Sequence, residues 1–430
     1  MASKQMWGRR LSVVGGISVL AGCGGGDVSA GRESASFNLS RCYGAQTQCD
    51  GMQSTVIAES ALQACDDAGT ALADELRFPV ASGNGWTQEQ KVRLGADGSV
   101  WILRRLAQSA NELPSTIDVV LEHYTADGTL LGNTEALATQ TPEGHVSMSD
   151  DLSVSGAGHA LVAIYTDYAP TADSPLDEAL TLHEYDGDLH AVRDPLRFRG
   201  VGHSKVMGGS AATFALAGDA LDNAAHGVLA RVNDGAPDWI QTAVPSSGLG
   251  AGVGIAGLAL DAAGVTSVLS QRNPHWEPGT PNQYSYGVAR FDGNGNPLWD
   301  LVLPTAYAGG FSAALAPLVD GVVVVGLTDD GNSQLMRQVS SNGQLGWGFT
   351  MASSFSLPAV QVDAKSGRAI ATATNGVAVV APNGLRCKQY PMPHATGELE
   401  ASADGLAVAS PYLYLSVLGG EVRRYRLPEE

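Results

Sequence analysis

From about residue 90 onward the chain is a succession of short apolar or alternating segments, each closed by Asp-Gly, Asn-Gly or Gly-Gly. Alternation with glycine-bearing stops predicts strands joined by tight hairpins. One unit returns in three clear copies: Val228–Val232 with Gly235 and Trp239, Val288–Asp292 with Gly295 and Trp299, and Leu335–Val339 with Gly343 and Trp347. In each copy the tryptophan stands four residues after the glycine. Weaker copies run Val119–Tyr124 with Gly128, Leu180–Tyr185 with Gly187, Gly376–Val380 with Gly384, and Tyr414–Leu418 with Gly420.

Units recurring every 40 to 60 residues or so suit an array of four-stranded sheets, none of which can bury its apolar face alone. Closing the series into a ring protects the terminal edges, whereas an open array needs polar caps at its ends. The last unit has no such cap and reads as four strands, Leu399–Ser402, Leu406–Ala409, Tyr412–Leu418 and Glu421–Leu427. The expected fold is therefore all-β, a seven-bladed β-propeller over 89–430, with six or eight blades the nearest alternatives. The fixed place of Trp239, Trp299 and Trp347 after a turn assigns them to packing between blades.

A different segment precedes the ring. Over Gln53–Phe78 the residues Ile57, Ala61, Leu62, Cys65, Ala68, Leu72 and Leu76 recur at threes and fours, a spacing that predicts a helix with one apolar stripe. Residues 42–88 are thus expected to form a cysteine-containing helical segment packed on the ring. Cys42, Cys49, Cys65 and Cys387 lack the spacing and histidines of a zinc site. Disulfides are the favoured reading, with Cys42 and Cys49 closing a short loop and Cys65 pinned to Cys387; three connectivities are open.

At the N-terminus, Arg9-Arg10 leads into an apolar run of eleven residues, Leu11–Ala21, and then Gly22-Cys23. Such a run is too short for a membrane span, which needs about 20 residues. Leu20-Ala21-Gly22-Cys23 resembles the lipobox of bacterial lipoproteins. The resemblance implies a signal peptide over 1–22, acyl chains on Cys23, a flexible tether over 23–41, and a place in the cell envelope, at the outer membrane in preference to the inner. Arg9-Arg10 also admits the twin-arginine export route, although Leu11-Ser12-Val13 matches that signal poorly.

The chain carries 25 basic against 44 acidic residues. Loss of the leader removes Lys4, Arg9 and Arg10 and leaves the remainder more acidic. Nucleic acid is excluded as a partner, because backbone binding needs clustered cations. Direct adhesion to anionic lipid is disfavoured on the same ground. The membrane is met through the lipid anchor alone, and the chain is expected to work as a monomer or within a hetero-complex.

Connections between second and third strands of the blades share one end of a propeller. Here they include Tyr165–Glu178, Asp219–His226, Gln271–Tyr286 and Asp329–Asn332. Long loops on a rigid scaffold carry recognition more often than tight hairpins. Within the third of these, Arg272, His275, Trp276, Tyr284 and Tyr286 are the candidate binding residues for an envelope protein or a glycan. The competing reading folds Trp276 back onto a loop stiffened by Pro274, Pro278 and Pro281.

No cofactor or metal is expected. Asp292-Gly293-Asn294-Gly295-Asn296, with Asp300, partly resembles a calcium loop, but it lacks the closing glutamate, and a hairpin demands the same residues. His123 and His183 have no third ligand nearby and read as structural. Gly-x-Ser-x-Gly, His-Glu-x-x-His, phosphate-loop and dinucleotide signatures are absent from the sequence.

Through Cys23 and the Trp-bearing repeats, the chain resembles an envelope lipoprotein with a quinoprotein-like or related propeller body. Ala289-Arg290-Phe291-Asp292 and Asn296-Pro297-Leu298-Trp299 carry that resemblance. It implies either a scaffold subunit of outer-membrane assembly machinery or an alcohol dehydrogenase, and the adjacent cysteines and quinone site of the latter are missing. The leading expectation is a non-catalytic, lipid-anchored binding or scaffold protein; the alternative is an exported propeller enzyme, a hydrolase or lyase.

Overall fold

The structure, a computed structural model, describes residues 36–38, 54–56, 61–79, 86–107, 117–140, 146–168, 179–209, 213–220, 226–233, 236–245, 254–272, 283–304, 307–308, 313–328, 333–352, 358–373, 376–392, 405–417 and 421–428. Its strands form seven sheets.

Blade 1 runs outward through Trp86–Leu94, Val100–Ala107 and Ile117–Tyr124 to the short outer strands Leu130–Asn133 and Ala138–Gln140. Blade 2 is Val146–Val154, Ala160–Tyr168, Ala179–Tyr185 and Leu196–Arg199; blade 3 is Val201–Gly208, Thr213–Ala220, His226–Asn233 and Ala236–Pro245. Blade 4 is Ile255–Leu260, Thr266–Arg272, Gln283–Phe291 and Pro297–Val302; blade 5 is Ala313–Leu318, Gly321–Leu327, Ser333–Val339 and Leu345–Ala352. Blade 6 is Val360–Val362, Ala369–Ala373, Gly376–Val380 and Cys387–Pro391. Blade 7 takes only Leu406–Ala409, Tyr412–Ser416 and Val422–Arg426 from the C-terminal part.

Packing decides the blade number. Seven apolar clusters are each shared by two successive blades, and the last joins blade 7 to blade 1 through Tyr414, Val422, Val92 and Ile102. The innermost strands also neighbour one another all the way round. The chain is a seven-bladed β-propeller.

The fourth strand of blade 7 is Ala73–Phe78, antiparallel to Val422–Arg426 with Phe78 opposite Val422. The expected four consecutive strands at the C-terminus are corrected accordingly: Leu399–Ser402 lies outside the described residues, and the N-terminal part closes the ring. Tyr412–Ser416 is a second strand of its blade and not the third strand that the repeat unit expects, and Gly420 lies outside the described residues.

The helix expected within Gln53–Phe78 is also corrected. Its described part, 54–56 and 61–78, is an extended belt across the outer edges of the blades. Ser36–Asn38 adds a parallel strand to blade 2, Ser54–Val56 to blade 4, Gln63–Ala64 to blade 5 and Asp66–Asp67 to blade 6. Contact with the body recurs at Cys65, Ala68, Leu72 and Leu76 because the belt steps from one blade edge to the next. That step happens to match a helical turn. Ile57 lies outside the described residues.

Cys65 is bonded to Cys387, the first residue of the outer strand of blade 6, across 322 positions of sequence. A closed loop of that size corresponds to about 6 kcal/mol in the chain-entropy description. Cys42 and Cys49 lie outside the described residues, as do the lipobox and the expected tether over 23–41 apart from Ser36–Asn38, which is fastened to blade 2.

Candidate functional site

Strand direction assigns each connection to an end of the ring. Turns after first and third strands share the tight-turn end, where Gly98, Gly128, Gly158, Gly264, Gly295, Gly343, Gly367 and Gly384 take positive φ. Second strands finish, and third strands begin, at the opposite loop end. The strands that flank 169–178 and 273–282 both meet that end, as the sequence predicts.

Of the candidate binding residues, Arg272, Tyr284 and Tyr286 share the loop end of one hairpin in blade 4. Arg272 pairs in register with Ser285, and Tyr284 pairs with Tyr307. Tyr286 is fully buried in the cluster between blades 4 and 5, so its ring is packing. His275 and Trp276 lie outside the described residues.

Two polar groupings appear that sequence reading did not single out. On the innermost strand of blade 2, Asp150 meets Lys91 Nζ at 3.4 Å and Arg105 Nε at 2.6 Å, from the first and second strands of blade 1. Its neighbour Asp151 lies 3.9 Å from Arg93 and accepts the backbone N–H of Val206 in blade 3 at 2.7 Å. Both carboxylates are buried. Alternation sends neighbouring side chains of a strand to opposite faces, which lets one strand address the blades on either side.

The second grouping is Asp219, at the loop end of blade 3. It accepts the backbone N–H groups of Gly254 and Ile255, at 2.9 and 3.0 Å, where blade 4 begins. Burial disfavours its charged form and pushes its pKa up to about 6, although the two N–H groups pull the other way. A signal existed, since Asp219 opens one of the loops noted above. What marks it out is the closeness of blade 4, which sequence alone does not supply.

Elsewhere polar groups are tied to structure. Asp292 accepts N–H groups of Asn294 and Asn296 at 2.9 and 2.8 Å and the Asn296 side-chain amide at 2.9 Å, which closes its own hairpin. Among the described residues no group of three His, Cys, Asp or Glu is placed to hold a metal. His123 stacks on Trp101 with ring centres 3.7 Å apart, and its Nδ1 lies 2.8 Å from the Gly187 carbonyl. His183 stands parallel to Tyr185, and burial lowers its pKa.

No family model matches the chain, and no curated protein matches it. Solved structures do. An α-L-arabinanase from Penicillium chrysogenum is 12% identical, with 82% of this chain and 98% of that one covered and a TM-score of 0.43. An α-L-arabinofuranosidase from Fusarium graminearum is 12% identical over 83% and 96%, with a TM-score of 0.41. A gluconolactonase from Xanthomonas campestris is 13% identical over 86% and 98%, with a TM-score of 0.36. The likeness is one of fold. These three are enzymes; the expectation of a non-catalytic binding or scaffold protein is not kept, and its alternative, an exported propeller enzyme, is the reading proposed.

Proposed function

We propose that this protein is an exported propeller enzyme of the hydrolase or lyase class, acting at the loop end of the ring and held to the envelope by acyl chains on Cys23. The Trp-bearing repeat supports a quinoprotein-like ancestry for the body, and no quinone chemistry is drawn from it.

Asp219 carries the reading. General acids work best with a pKa near the ambient pH, and burial brings this carboxyl to about 6 at the end of the ring that bears the long connections. Its role is to give a proton to the oxygen leaving a cleaved C–O bond. The buried carboxylates Asp150 and Asp151, with Arg93 and Arg105, supply fixed charge on the inner strands of the neighbouring blades.

The test is a substrate screen of glycosides, polyuronides and lactones with the native chain and Asp219→Asn. The reading expects turnover that falls as pH rises above about 6, following deprotonation of Asp219, and a loss of about 100-fold or more in the variant. Turnover that Asp219→Asn leaves intact, or no turnover of any class, overturns it.

A further inference from the structure

The seam between blade 7 and blade 1 depends on Ala73–Phe78. Phe78 is fully buried with Val92, Val100, Ile102, Tyr124 and Tyr414 of the two blades. Leu76 packs under the Gly128 turn of blade 1. Just beyond the strand, the Pro79 carbonyl accepts from Arg104 Nη2 at 3.2 Å and lies 3.1 Å from the Tyr124 hydroxyl. Arg104 is itself inaccessible and paired to Glu122 at 2.6 Å. Loss of this strand would open an apolar cluster and remove an acceptor from a buried guanidinium.

The strand is reached along a weakly fastened belt. Gln63–Ala64 and Asp66–Asp67 are parallel rungs of two residues each. Cooperative stability is low for so short a ladder, so release from the upstream end can proceed rung by rung. Cys65 stands between the two rungs and is bonded to the body through Cys387. Past Cys65 the belt is held before the closing strand by the bonds Ala68 N–H to Gln389 and Leu72 N–H to Pro391 and by the Leu72 side chain, buried between blades 6 and 7.

We infer that the Cys65–Cys387 disulfide is a redox latch: oxidised, it stops release of the belt before the ring-closing strand, and reduced, it lets release run through Ala73–Phe78 and open the seam between blades 7 and 1. Cys65 is half-buried, within reach of an exchange partner, while Cys387 is buried. To close the latch, the two thiols give up two protons and two electrons, and the disulfide of a dithiol–disulfide exchange protein takes them to become a dithiol. A dithiol donor reverses the step. The latch therefore sets in an oxidising compartment and is open before export.

Hydrogen exchange followed by mass spectrometry tests this on the full mature chain in three forms: oxidised, treated with dithiothreitol, and Cys65→Ser/Cys387→Ser. The inference expects amides of 63–78 to exchange about ten-fold faster or more in the second and third forms, with 100–104 and 422–426 following, while 213–233 in blade 3 stays as protected as before. Dithiothreitol also reaches Cys42 and Cys49, so an effect absent from the double-serine variant overturns the assignment to this bond. Unchanged protection of 73–78 overturns it, as does an equal rise in blade 3, which would mark the bond as a general stabiliser. If the variant does not fold, the native chain, folded first and then reduced, gives the same two readings. None of these outcomes depends on turnover, so the latch and the proposed activity stand or fall separately.

Discussion

The indole N–H of Trp239, on the outer strand of blade 3, donates to the carbonyl of Gly293 in a turn of blade 4, 3.0 Å away. The contact recurs one blade on, where Trp299 donates to Ser341 at 2.9 Å, and the ring of Trp347 lies against Gly384 of blade 6. Each tryptophan thus docks on the next blade's turn. The turn must leave room: Gly295 has φ of 80°, and a Cβ there would meet Trp239 at 2.6 Å. Trp299→Phe is expected to cost about 1 kcal/mol, the worth of a hydrogen bond, and Trp299→Ala about 3 kcal/mol. Gly295→Ala should cost about 2 kcal/mol or more from strain and overlap together. Urea unfolding of each variant checks the order; equal losses for Phe and Ala would remove the hydrogen bond from the account.

This docking explains why the body was legible in the sequence. A turn glycine and a tryptophan four residues later are local, and their recurrence reports the blade. The belt was not legible, because its partners, such as Arg197–Arg199 for Ser36–Asn38 or Lys388 for Asp66, lie 161 and 322 positions away in sequence. Its contact spacing of three to four residues then imitates a helix. Asp150 and Asp219 were hidden for a related cause. Nothing local distinguishes them from other acidic residues until Arg105 and Gly254 are brought alongside by neighbouring blades.

The pair Arg104–Glu122 offers a second test. Both side chains are inaccessible, Arg104 also bonds Gln90, and the Tyr124 hydroxyl donates to Glu122 at 2.9 Å. Burial is the larger cause, with the Glu122 charge behind it, of a Tyr124 pKa lifted well above the ordinary phenol range. Arg104→Met strands a buried carboxylate and should cost about 3–5 kcal/mol, whereas Arg104→Met with Glu122→Leu should recover most of that loss. Thermal unfolding of the two variants decides; a double variant as unstable as the single one would show that the guanidinium matters through Gln90 and Pro79 and not through its charge partner.

Asp363 predicts a loss of stability in acid. It sits in the first turn of blade 6 and accepts from the hydroxyls and backbone N–H groups of Ser366 and Ser410, the latter in blade 7. Burial alone would raise its pKa, but the serine hydroxyls and amides outweigh burial and bring it to about 2. A carboxylate lowered from 3.8 in the unfolded chain stabilises the fold above that pH, and the gain disappears as pH falls toward 2. The gain is on the order of 2 kcal/mol. Asp363→Asn should therefore lose stability at pH 7 and match the native chain more closely near pH 2. Parallel stability curves for the two proteins between pH 2 and 5 would contradict the assignment.

Asp219 predicts the opposite sign in a different window. Its carboxyl rises from 3.8 in the unfolded chain to about 6 in the fold, chiefly through burial. The folded state then binds the proton more tightly, so this group's contribution is complete below pH 3.8 and is lost as pH climbs through 6. Native stability should fall between about pH 4 and 6 by an increment that Asp219→Asn lacks, because the amide does not titrate. The same measurement bears on the proposed chemistry. A general acid must be protonated to act, so turnover should begin to decline at the pH, about 6, where the fall in stability levels off, both reporting one proton on one carboxyl. If stability turns at pH 6 while turnover turns elsewhere, Asp219 is only the clamp that its bonds to Gly254 and Ile255 make it, and another residue supplies the proton.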